Sequence, residues 1–314
     1  MSLLQKRKPD ACERWLNQKS LKDRIIKYKY FYLMFLPIVL YYLIFHYIPM
    51  YGINIAFYNM GIFGNKTFVG WDNFNRLFFS PNFWMVFNNT LILSGLNLVC
   101  GMLGSIVLAL LLNEVKNTAF KKTVQTVVYL PHFISWVVVA SIFTMILSPD
   151  YGLVNAMIQK SGGKPIYFLV SQQWWRPAFL MITMWKGIGW GAIVYLAALS
   201  GVDPQLYEAA SIDGAGRLKQ TWFVTLPALR NTIFIVLIMH LSTVLNLFHS
   251  VFVLMNPLVY PVADVLGTYT YRVGLLQADY SYSTAVGLFT SLISMVLVLG
   301  ANFLSKKVNG ESVI

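Results

Sequence analysis

An all-α polytopic membrane protein with six spanning helices is the fold class this sequence predicts, on three observations. The chain is 57% hydrophobic and only 11% charged, whereas soluble domains carry roughly 25% charged residues. Six stretches are apolar over the roughly 20 residues a bilayer requires: 31–51, 86–112, 123–147, 177–199, 232–255 and 284–304. Lysine and arginine are distributed unevenly between these stretches. With the N-terminus inside, the inner segments hold 17 and the outer segments 6, and Lys186, within a span, completes the 24. That bias predicts a cytoplasmic position for both termini.

Along the chain, residues 1–30 carry nine Lys and Arg. They are too long and too charged for a cleaved signal segment and read as a retained cytoplasmic tail. Its last part, Leu21 to Tyr30, is either a basic surface helix or a plain anchor. Residues 31–306 form the membrane domain, and 307–314 a short inner tail. The outer loops are the longer ones and carry Trp71, Phe74, Phe78, Phe79, Trp84, Trp174 and Trp175. Such aromatics form either an interfacial belt or a landing surface for an extracellular protein. The net charge of +12 follows the membrane topology, so it does not predict a nucleic-acid partner. Cys12 and Cys100 show no metal-ligand spacing, and His46, His132, His240 and His249 are scattered, so no metal site is expected. A GxxxxGK[ST] phosphate loop is absent, which predicts no nucleotide site of that kind in this chain.

The inner segment 200–231 is the most informative. Asp203 as N-cap and Pro204 at the first helical position predict a helix start, and Gly214 predicts its end near Asp213. On that helix Leu206, Ala209, Ala210 and Asp213 share a face, with Glu208 offering one charge. The wording is Glu208-Ala-Ala, three residues, Gly214, nine residues, Val224, one residue, Leu226-Pro227. This pattern resembles the EAA loop of permease subunits in binding-protein-dependent ABC importers, the segment that docks onto the ATPase. It departs from sugar permeases at Val224, Thr221 and Asn231, where they usually carry Ile, Phe and a second Pro.

Further passages resemble the carbohydrate branch of that family, its polysaccharide and maltose-type oligosaccharide permeases. They are Tyr47-Ile-Pro-Met-Tyr-Gly-Ile-Asn-Ile-Ala-Phe57 with Phe68-Val-Gly-Trp-Asp-Asn-Phe74 and Asn89-Thr90, then Tyr129-Leu-Pro-His-Phe-Ile-Ser-Trp136, then Tyr151-Gly-Leu-Val-Asn155. The likeness runs from Lys29 to the C-terminus. It implies a type I importer fold with an EAA coupling helix, in a bacterial plasma membrane. It also implies a second homologous permease subunit, two ATPase subunits that bind ATP and Mg, and an extracellular solute-binding protein. The residues it assigns to ATPase coupling are Glu208, Ala209, Ala210, Asp213 and Gly214. No cofactor and no bond-making chemistry are implied for this chain itself.

Candidate pathway residues follow from cost and chemistry. A lysine near a span centre costs about 2.5–3.5 kcal/mol on insertion scales, so Lys186, in Trp185-Lys-Gly-Ile-Gly-Trp-Gly191, calls for a polar environment. It either pairs with an anionic sugar, donates to hydroxyls, snorkels to the outer surface, or makes a structural contact with the partner permease. Sugars bind by aromatic stacking and hydroxyl hydrogen bonding, which adds Trp185, Trp190, His240, Asn246 and His249. Ser242, Thr243, Ser250, Trp136 and Tyr195 are further candidates, and Arg176 and Arg272 lie at the expected mouth. The alternative for the polar set is hydrogen bonding between helices. Gly187 and Gly191 form a small-xxx-small pair that suits close helix packing, and Pro131 predicts a kink in the third span.

The expected function is therefore translocation of a sugar or oligosaccharide, acidic in the sharper version. Import of another small solute is the alternative within the family. A secondary carrier would couple ions through intramembrane carboxylates, and none of the six spans contains Asp or Glu. A membrane-embedded enzyme would need a catalytic set, which scattered histidines do not supply.

Overall fold

The computed structural model describes residues 25–60 and 66–309. The expected tail up to residue 24 and the last five residues lie outside the described residues. The chain divides into two units between Ile55 and Ala56.

The first unit holds most of α1 (Lys29–Phe57). It opens as an α-helix, widens to a π-turn at Leu43–Tyr47 and tightens to a 3-10 helix from Tyr51. Lys27 and Lys29 stand at its start, and its apolar side chains, Phe31 and Met34 among them, are exposed, as suits a lipid-facing surface.

The second unit begins with a hairpin of β1 (Tyr58–Met60) and β2 (Lys66–Phe68), paired Tyr58 to Phe68. Then follow α2 (Asp72–Phe79) and α3 (Pro81–Glu114). The 34 residues of α3 make a rod about 50 Å long at 1.5 Å per residue. Its start is set by Ser80 Oγ, which accepts from Phe83 N at 3.3 Å, with Pro81 next in line. Asn117 Oδ1 accepts from Ala119 N and Phe120 N to start α4 (Thr118–Phe133). After α5 (Trp136–Ile146) and α6 (Leu153–Lys160) comes α7 (Gln172–Leu199). The chain continues through α8 (Pro204–Ile212), α9 (Arg217–Leu241), α10 (Phe248–Leu254), α11 (Leu266–Tyr271) and α12 (Tyr280–Asn309).

Helix α7 lies at the centre. Trp175, Phe179 and Ile182 pack with Val139 and Phe143 of α5 and with Val251 and Leu254 of α10. Farther along, Ala192 and Tyr195 pack with Ile106 and Ala109 of α3 and with Leu229 and Val236 of α9. A third cluster joins Leu77, Phe83 and Val86 to Tyr269, Tyr282 and Val286.

Three expectations are corrected. The third span does not merely kink: α4 and α5 meet at 105°, because Pro131 ends the helical hydrogen bonding and Ile134 and Ser135 are extended. The fifth span is not continuous over 232–255. Its helix begins at Arg217, inside the segment read as a loop, and ends at Leu241, with residues 242–247 in turns before α10. Gly187 and Gly191 do not form one packing pair, since a Cβ on Gly187 would meet nothing within 4 Å. The close approaches are at Gly189, where a Cβ would collide with the Val128 carbonyl, and at Gly191, where it would strike Ser105 Oγ.

Polar residues of the family-like passages tie the connections to the spans. Asn73 Nδ2 donates to the carbonyls of Ala56 (2.9 Å) and Tyr58 (3.2 Å). Asn89 Nδ2 reaches those of Pro261 and Asp264, while Thr90 Oγ1 accepts from Leu266 N. Fully buried Asn155 places its amide nitrogen within 3.2 Å of the carbonyls of Leu147, Ser148 and Ile166, and its Oδ1 accepts from Ile166 N at 2.7 Å. Beside it Gly152 is required, since a Cβ there would collide with the Ser148 carbonyl.

Two outcomes are expected. Asn155→Ala leaves several buried groups unpaired at about 1–3 kcal/mol each, so the protein should melt earlier in detergent, whereas Lys160→Ala, at an exposed position, should melt as the wild type. Gly189→Ala should force α7 from α4 and lower the yield of folded protein in size-exclusion profiles, whereas Gly187→Ala should not.

Candidate functional site

Two regions carry the predicted residues. The first is α8. Asp203 Oδ1 accepts from Gln205 N at 2.9 Å and starts the helix. At its end Gly214 adopts φ +75°, Ala215 N donates to the Ala210 carbonyl, and Gly214 N to that of Ser211. This Schellman closure explains why glycine stands there. Glu208, Ala209, Ile212 and Asp213 are exposed and Ala210 is half-buried. Leu218, Trp222 and Phe223 are exposed nearby in sequence, at the start of α9. The knob is tied to α9 by side chains: Tyr207 Oη lies 3.1 Å from Thr225 Oγ1, and Gln220 Nε2 donates to Ser211 Oγ and the Ala215 carbonyl. Within α9 the helix widens to a π-turn at Thr221–Thr225. Arg217 pairs with Glu114 of α3 at 3.2 Å.

The second region is a cavity of about 680 Å³ walled by α3, α7, α9 and the two helix breaks. Lys186, Trp190, His240, Asn246 and His249 all line it, as do Trp136, Tyr195, Thr243 and Ser250. Trp185 does not, and lies edge-on to Phe143 at 5.2 Å instead. Sequence reasoning passed over Asn97, Ser94 and His132, which also line the wall. His132 was legible only as one of four scattered histidines and as a member of the Tyr129–Trp136 passage, yet its ring stacks on Trp190 at 4.3 Å with an interplanar angle of 4°. No aspartate or glutamate lines the cavity.

Lys186 is buried at 8% exposure, and its Nζ donates to the carbonyls of Pro131 (3.1 Å), His132 (2.7 Å) and Ile134 (2.6 Å). An ammonium has three protons, so these bonds occupy all of them. This contact lies within the chain and was not among the roles read from the sequence: the broken third span receives the hydrogen bonds of Lys186.

The two mouth arginines are likewise committed. Arg176 donates to Asn89 Oδ1 at 2.7 Å and to the Val262 carbonyl. Arg272 is paired with Asp264, whose side chain is 1% exposed. Burial pushes the Asp264 carboxyl up from its ordinary range, and the Thr268 hydroxyl and the Arg272 guanidinium act the other way. Both arginines anchor the 256–272 segment.

Comparison with known proteins places this geometry. Residues 101–310 match the family of binding-protein-dependent transport system inner membrane components. The polygalacturonan/rhamnogalacturonan transport system permease protein YteP of Bacillus subtilis (strain 168) is 46% identical over 94% of both chains. Protein LplB of the same organism is 44% identical over 90% of both. Among solved structures, a bacterial ABC transporter involved in the import of the acidic polysaccharide alginate is similar at a TM-score of 0.87 and 40% identity, over 92% of this chain and 99% of that one. The helical architecture is thus that of a type I importer permease, and the chain belongs to the family of binding-protein-dependent transport system inner membrane components.

Proposed function

We propose that this chain is one of two membrane subunits of an ATP-driven importer and carries an oligosaccharide, acidic in charge, across the bacterial plasma membrane. The observation that carries the reading is the exposed knob α8, tied by side chains to a span that lines a polar cavity. A motor that grips Glu208, Ala209, Ala210 and Asp213 moves α9, and with it one wall of the cavity. The lysine and arginine bias supports a cytoplasmic knob and cytoplasmic termini. ATP and Mg belong to the partner ATPases, and this chain contributes no nucleotide site. Nucleotide on the motor shifts the permease pair only so far as it binds one of their orientations better.

Cargo class rests on two supports. The relatives are named for polygalacturonan, rhamnogalacturonan and alginate transport, and one solved relative is in complex with an alginate pentasaccharide-bound periplasmic protein. That points to an extracellular binding protein as the first selector here too. The cavity also suits such a cargo: it exposes Trp190 for ring stacking and offers Asn97, Asn246, His240 and His249 to hydroxyls.

Two measurements test this reading. Cysteines introduced at Ala209 or Ile212, in a chain otherwise free of cysteine, should crosslink to the ATPase subunit; crosslinks that never reach it refute the coupling role. Uptake of a short oligogalacturonate into membrane vesicles should collapse when the ATPase is deleted although the membrane potential is kept; continued uptake would instead identify an ion-coupled carrier.

A further inference from the structure

His132 is held twice, and both holds come from one face of α7. Its carbonyl accepts from Lys186 Nζ at 2.7 Å, and its ring lies flat on Trp190. Lys186 and Trp190 are four residues apart and are therefore neighbours on the helix surface. Between α4 and α5 the backbone is extended at Ile134 and Ser135, so carbonyls at the end of α4 lose the i+4 amides of an unbroken helix, and that of Pro131 keeps only a tighter bond from Ile134 N at 3.2 Å. Lys186 takes those of Pro131, His132 and Ile134. The lysine thus fixes the backbone that carries the His132 ring, at the point where that ring faces the cavity.

We propose that Lys186 is a positioning residue: by capping the broken third span it seats the His132 ring on Trp190, and it acts on the cargo through that stacked pair instead of binding a cargo carboxylate. This rests on the oligosaccharide reading. Trp190 has one face backed by His132 and an edge contact from Phe133 at 5.7 Å, yet remains 46% exposed. A ring braced in this way offers a flat apolar surface to a sugar ring at little further entropic cost.

The test uses the complete importer, with both membrane subunits, ATPases and binding protein, in proteoliposomes. Its probes are trigalacturonate and the same trisaccharide as its methyl ester. Lys186→Met should lower uptake of both by the same factor, about tenfold, and should add little to the loss in Trp190→Ala, as expected for residues acting through one structure. Selective loss of the charged probe, or losses that multiply in the double variant, would overturn the proposal. Should Lys186→Met fail to assemble, His132→Ala keeps the main-chain cap and removes only the ring. It should lose uptake as Trp190→Ala does, and His132→Phe should recover most of that loss; wild-type uptake by His132→Ala would overturn the proposal. Wild-type importer that hydrolyses ATP in response to binding protein yet takes up neither probe would sink the oligosaccharide reading, and this inference with it. A wild type that transports alongside an unaffected His132→Ala sinks the inference alone.

Discussion

Within a bilayer the backbone must find its hydrogen-bond partners inside the protein, because lipid offers none and each orphaned group costs several kcal/mol. That constraint organises this fold. The helices around the cavity are interrupted after Phe133 and again at 242–247, and each interruption is closed by a side chain from another helix. Lys186 of α7 takes three carbonyls at the first, and Ser94 of α3 donates to the Val244 carbonyl at 2.6 Å in the second. The breaks give the cavity its polar walls, and the caps make the breaks tolerable.

The same economy governs the connections. Asn73, Asn89, Asn155 and Asn256 each direct a side-chain amide to backbone carbonyls of a neighbouring segment. An amide is suited to this because it donates and accepts without charge. Three of these asparagines stand in the passages that resemble the oligosaccharide permeases. In this chain those passages fasten loops to neighbouring segments.

Much of this was legible in the chain. Long apolar stretches predicted the spans, and Asp203, Pro204 and Gly214 predicted both ends of α8, because caps are local chemistry and sequence records local chemistry well. The breaks were less legible. A proline at 131 announces a disturbance, but not its 105° size, nor that Lys186, 55 residues away, caps the break. Residues 242–247 carry no proline, so their apolar neighbours suggested an unbroken helix. His240 at the end of α9, Asn246 in the break and His249 in α10 line one cavity wall although no single helix carries them. Lys186 was conspicuous as an expensive residue, yet expense alone does not name a partner. Trp185 and Trp190 looked equivalent beside it, and only the rotation of α7 separates them.

The length of α9 sets a mechanical advantage. Its 25 residues, from Arg217 beside the knob to the second break, span about 37 Å at 1.5 Å per residue. A rocking of ~5° about one tip of a lever that long displaces the other by ~3 Å, roughly the whole reach of a hydrogen bond. A small tilt applied where α9 meets α8 is therefore enough to break a hydrogen bond at the cavity end of the same helix.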